Sequence, residues 1–149
     1  PASLQPETDI QAIAFEKAKS SGSKLIITDD LAAAKGADII YTDVWVSMGE
    51  EDKYDERIDL LLPYQVNAEL LAKTENPDCI FMHCLPALHD LETHTMHEIH
   101  DKKGLSALEV TDDVFRGKNS VVFQEAENRL HSIKAVMAAT LGNLFIPTV

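Results

Sequence analysis

"CIFMHCLP", residues 79–86, carries a short apolar run straight into a histidine, a cysteine and a proline. A bounded apolar run of this length predicts a buried strand over Cys79 to His83, with proline ending it. In open α/β sheets the carboxyl ends of strands are where sites are built. Cysteine is also among the most buried residue types, so residue chemistry alone favours simple packing. The case for a site therefore rests on what surrounds the stretch.

Upstream, Asp38 to Asp43 (DIIYTD) predicts another buried strand, and Lys24 to Thr28 (KLIIT) a shorter one. Between and around them, helical spacing predicts helices over Asp9 to Ser21 (stopped by Gly22), over Leu62 to Ala72 and over Glu92 to His100. Asp29 and Asp30 are placed to cap a short helix ending near Gly36, and Thr111 to Phe115 is a short capped helix. Ser120 to Phe123 (SVVF) predicts a fourth strand, followed by the longest helix, Glu127 to Leu141. The polar stretch Ser47 to Arg57 is the longest non-periodic loop. Strands alternating with helices predict an α/β domain with a parallel sheet and flanking helices, spanning residues 1–149. The chain opens on a helix and has no glycine-rich first turn, so the first strands of a Rossmann-like sheet are expected upstream of Pro1.

Composition narrows the function. The chain has 149 residues, 45% of them apolar and 26% charged, which is ordinary for a globular domain. Thirteen basic against twenty-five acidic side chains leave a net charge of −12, which repels phosphate backbones and anionic membranes. No nucleic-acid partner is expected, and no stretch approaches the ~20 apolar residues of a membrane span. Two cysteines, Cys79 and Cys84, lie in one apolar segment with poor geometry for a bridge, which fits a reducing, cytoplasmic compartment. No targeting signal is evident.

A parallel sheet would bring two strand ends to one edge: Asp43 and Ser47 after one strand, and His83, Cys84 and Leu85 after the other. Asp43 serves equally well as a turn residue, and Ser47 as an ordinary loop residue. Leu85-Pro86 is a candidate cis bond. Five of six histidines fall within residues 83–100, yet neither C-x₂-C nor H-E-x-x-H spacing is present, so no metal is expected. Arg129 is placed at the first turn of the last helix, where backbone N–H groups favour an anion.

Four segments in order, DVWVSMGEE (43–51), FMHCLPALHD (81–90), LEVTDDVF (108–115) and AENRLHSIKAVMAATLG (126–142), resemble the ornithine carbamoyltransferases. The S-M-G loop and H-C-L-P are the specific part, since the aspartate enzymes resemble one another around H-P-L-P. The resemblance implies a two-domain enzyme in which one half binds carbamoyl phosphate and the other L-ornithine. This sequence is similar to most of the second half. It lacks the family's phosphate-gripping S-x-R-T segment and its D-x-x-N-N type stretch, so the chain alone is expected to be inactive.

By resemblance, Asp43 holds the ornithine α-amino group, and Ser47 and Met48 belong to a loop that closes over the amino acid. Cys84 lies near the reacting δ-amine, His83 bonds the carbamoyl oxygen, Leu85 offers its carbonyl and Arg129 reaches carbamoyl phosphate. Expected partners are L-ornithine, carbamoyl phosphate, an N-terminal carbamoyl phosphate domain and further copies in a homotrimer or higher oligomer. No cofactor is expected. The location implied is cytoplasmic, or the mitochondrial matrix for a eukaryotic source. Alternatives are a non-catalytic amino-acid-binding fragment or paralogue, an enzyme for putrescine or acylated ornithine, and a metal-dependent hydrolase using the histidine-rich stretch.

Overall fold

The strands expected from the two buried runs form and pair. In the computed structural model, which describes residues 1–47 and 49–142, β1 (Ile39–Thr42) and β2 (Ile80–His83) run parallel. Ile39 stands opposite Ile80 and Thr42 opposite His83. Helices precede, join and follow them: α1 (Thr8–Ser21) before β1, α2 (Tyr54–Leu61) and α3 (Ala68–Lys73) between the strands, and α4 (His94–Lys103), α5 (Asp112–Phe115) and α6 (Val122–Leu141) after β2. Among the described residues no helix is long and apolar enough to cross a membrane.

Local chemistry accounts for the helix ends. Gly22 and Gly104, both in the left-handed region at φ 76° and 72°, stop α1 and α4, a conformation that costs glycine little. Thr93 and Asn67 cap α4 and α3 by accepting the N–H of Met96 and Leu70 at 3.2 and 3.0 Å. The Asp30 carboxylate accepts the Ala32 N–H at the start of a 3-10 turn, Leu31–Ala34, where a short helix was expected.

Four expectations are revised. Lys24 to Thr28 forms no strand: β1 and β2 make up the only sheet among the described residues, and this segment has no ladder partner in it. Ser120 to Phe123 shrinks to one bridge, Ser120 opposite Phe81, because the helix-favouring run from Gln124 onward pulls α6 back to Val122. The helix over Leu62 to Ala72 is broken at Gln65–Asn67, where Val66 donates to the Glu109 carbonyl at 2.9 Å and accepts from Thr111 at 3.1 Å. The loop after Ser47 ends early, as α2 starts at Tyr54 and sinks Ile58 against Met96, Ile99 and Leu108.

The larger core cluster sits beside β2. Phe81 lies within it, packed among Val66, Leu70, Val110, Val114, Phe115 and Val122. Asn119 and Val121 clamp the Phe81 backbone at 2.9 and 3.0 Å, so the strand leading to His83 and Cys84 is fixed on both edges. A rigid strand end is what a precise site needs.

Candidate functional site

Because Thr42 faces His83 in register, the next residues, Asp43 and Cys84, leave the sheet side by side. The Cys84 thiol donates to Asp43 Oδ1 at 2.9 Å, and the same oxygen accepts the Val44 N–H at 2.7 Å. Both side chains belong to exposed residues. Donation to the Asp43 carboxylate pushes the Cys84 thiol above its ordinary pKa, with burial adding to the shift. Such a sulfur is held as a hydrogen-bond donor and is not activated as a nucleophilic thiolate.

After Cys84 the chain turns sharply. Leu85 sits in the left-handed region at φ 57° and the Leu85-Pro86 bond is cis. A non-glycine residue there needs support, which comes from His83: the Leu85 N–H donates to His83 Nδ1 at 2.8 Å. The other ring nitrogen, Nε2, donates to Glu109 Oε1 at 3.2 Å. Both ring nitrogens are engaged and 0% of the His83 surface is exposed. Its place is inside the turn.

Glu125, in the first turn of α6, ties both strands together. It accepts the Tyr41 hydroxyl at 2.8 Å through Oε1 and the His83 N–H at 3.2 Å through Oε2. That bond raises the Tyr41 hydroxyl to about 12, with desolvation and the Glu125 charge acting in the same direction. Ser47, Val44 and Val46 line a cleft of about 320 Å³ beside the pair, together with Glu51 of the 3-10 turn Glu51–Lys53, Tyr54 of α2, and Pro86 and Leu88 after β2. Met48 lies outside the described residues. A separate cleft of about 250 Å³ between α2 and α4 contains Lys103, which Asp55 and Asp59 already hold.

Arg129 does not sit at a helix N-terminus. Since α6 starts at Val122, Arg129 lies roughly two turns in, exposed on the helix surface. The histidine-rich stretch also disperses: His89 joins Asp90 and Asp112, whereas the His100 ring donates to the Leu105 carbonyl at 3.1 Å. Arg116 already bonds both of those carboxylates and is the main reason the Asp112 carboxyl titrates low. His89 stacks on Phe115 at 3.6 Å between ring centres, so this cluster reads as a surface brace.

Sequence inspection missed Glu109, Glu125 and Tyr41. The signal for Glu109 was present: it is an acid inside the run Ala107 to Val110, whose other members are all buried and apolar. Glu125 carried only the weaker mark of an acid at a helix start.

Residues 1–140 match the family model described as aspartate/ornithine carbamoyltransferase, Asp/Orn binding domain. The chain is 56% identical over 148 residues to the catabolic ornithine carbamoyltransferase of Latilactobacillus sakei, covering 99% of this chain and 44% of that protein. It is 57% identical over 152 residues to the catabolic enzyme of Enterococcus faecalis, covering 100% and 45%. The ornithine carbamoyltransferase structure from Pyrococcus furiosus superposes with a TM-score of 0.76 at 40% identity, covering 97% of this chain and 41% of that one. This chain thus spans less than half the length of the curated relatives it matches.

Proposed function

The chain belongs to the aspartate/ornithine carbamoyltransferase family as an Asp/Orn-binding domain, and from that premise we propose that it is the L-ornithine-binding half of an ornithine carbamoyltransferase. The whole enzyme transfers the carbamoyl group of carbamoyl phosphate to the δ-amine of L-ornithine, giving L-citrulline and phosphate. The observation that carries this reading is the Asp43–Cys84 pair at the adjacent ends of β1 and β2, beside an open cleft.

The chemistry demands such a pair. A δ-amine resembles lysine, with a free pKa of ~10, so little of it is the nucleophilic free base at neutral pH. The Asp43 carboxylate binds the α-ammonium group, while the Cys84 sulfur and the Leu85 carbonyl orient the δ-amine. Closure of the loop bearing Ser47 and Met48 desolvates the amine and favours its neutral form. The amine lone pair then attacks the carbamoyl carbon, the C–O bond to phosphate breaks, and the departing phosphate takes the proton. Carbamoyl phosphate is already activated, so no cofactor or metal is required. Alignment of this kind supplies several of the ~7–11 kcal/mol available from proximity.

The phosphate-binding residues come from a carbamoyl phosphate domain that packs against the exposed apolar face of α6. Arg129, exposed on α6, reaches carbamoyl phosphate across that interface. Assembly into a trimer and a cytoplasmic location are part of the same reading, and the free thiols of Cys79 and Cys84 support a reducing compartment.

The test combines this chain with the separately produced upstream half of the Latilactobacillus sakei relative, carbamoyl phosphate domain included, and measures citrulline. Activity in the mixture is expected, together with a large loss of ornithine use for Asp43→Asn and Cys84→Ala at unchanged carbamoyl phosphate binding. Ornithine binding without citrulline in any mixture would make the chain a binding module. Neither binding nor turnover would overturn the reading.

A further inference from the structure

Glu109 is fully buried, at 0% exposure, and its side chain is divided between two roles. Oε1 accepts the Leu88 N–H at 2.6 Å and the His83 ring at 3.2 Å, while Oε2 is buried without a hydrogen-bond partner among the described residues. Its backbone is equally constrained, since its carbonyl accepts Val66 N–H at 2.9 Å and the neighbouring Leu108 N–H donates to the Leu88 carbonyl at 2.8 Å. The residue is a rigid post with one oxygen in use.

A buried carboxylate with an idle oxygen is costly, about 1–3 kcal/mol for the unpaired atom alone. Replacing buried ionic groups by apolar ones of similar volume is often neutral or stabilising. Stability therefore does not explain Glu109, and the geometry of its one active oxygen does. Leu85 N–H points at His83 Nδ1, so that nitrogen must carry a lone pair and the ring proton must reside on Nε2, where Glu109 receives it. The opposite tautomer would aim a proton at the Leu85 N–H and release a residue held at φ 57°.

We propose that Glu109 is a positioning residue: by holding His83 in the Nε2–H form and anchoring Leu88, it fixes the turn that presents the Cys84 thiol and the Leu85 carbonyl to the acceptor amine. The final clause rests on the transferase reading above. Glu109 braces the turn at both ends, His83 before it and Leu88 after it.

The test uses two variants and two readouts. Glu109→Gln keeps an acceptor oxygen; Glu109→Met keeps the volume and removes it. In the ¹⁵N-labelled chain, two-bond correlations of the His83 ring show the Nε2–H pattern for the parent and for Glu109→Gln, and its loss in Glu109→Met. In the assembly with the carbamoyl phosphate domain, Glu109→Met raises the ornithine KM about tenfold or more, as misplacement of reacting groups does. The carbamoyl phosphate KM stays unchanged, and Glu109→Gln restores most of the ornithine affinity. An Nδ1–H or doubly protonated His83 in the parent chain overturns the proposal without any variant. So does a Glu109→Met variant with an unaltered ring pattern, or with an unaltered ornithine KM in an active assembly. An inactive parent assembly sinks the transferase reading instead, while the ring spectra still decide the role of Glu109.

Discussion

Two neighbouring residues, Val122 and Phe123, mark the boundary between two regions that treat apolar side chains in opposite ways. Val122 is 1% exposed and closes the cluster around β2, whereas Phe123 is 67% exposed. The same contrast extends through the molecule: Phe81 and Val110 are wholly buried, yet Ile10, Ile13 and Phe15 of α1 and Leu130, Val136 and Met137 of α6 are all exposed. Residue type does not separate the regions. What separates them is whether this chain supplies an opposite face, and an apolar surface left uncovered marks a place for something else to pack.

If the comparison is right, truncation costs should follow burial. Phe81→Ala removes the centre of the larger cluster and is expected to cost ~3–5 kcal/mol in urea unfolding, enough to leave much of the protein unfolded. A cost near zero would mean that the β2 region is no better packed than the flanks.

The second test probes the exposed edge of the packed region. Asp43 raises the Cys84 thiol pKa by accepting a hydrogen bond from it, so the thiol titrates above its ordinary 9.0. Alkylation of Cys84 should climb with pH to a midpoint above that value, and Asp43→Asn should move the midpoint down and speed reaction at pH 8. Buried Cys79 should stay unmodified in both. Slower alkylation in the variant would show that Asp43 does not hold the thiol.

Smaller effects sharpen the boundary. Thr93→Ala removes the cap of α4, which belongs to the packed region through Met96 and Ile99, and is expected to cost ~1 kcal/mol in the same unfolding assay. Leu130→Ala should change the stability of the chain alone by less than ~0.5 kcal/mol. In the assembly with a carbamoyl phosphate domain, that substitution should weaken association measurably. A large loss in the isolated chain would show that α6 already packs on something within it.

The same boundary divides what was legible in the residues from what was not. The β1 and β2 runs could be read because both are flanked by turn chemistry, and Asp43 and Cys84 could be placed together once the sheet was taken as parallel. Lys24 to Thr28 looks equally strand-like, but a strand exists only with a neighbour, and none among the described residues pairs with it. Arg129 was misplaced because the start of α6 depends on Val122 entering the core, which local spacing from Glu127 onward cannot show. The partner of the His83 ring was not legible because it is an acid 26 residues away.

By itself the sequence determined the two buried runs, the capped helix ends and the family motifs, since each depends on periodicity or on a few chemically specific side chains close together. The tertiary structure decided which apolar faces are covered, where α6 begins and what both nitrogens of His83 bond. These depend on groups tens of residues apart, and they meet only because β1 and β2 pair in one register and the chain returns twice to brace the end of β2.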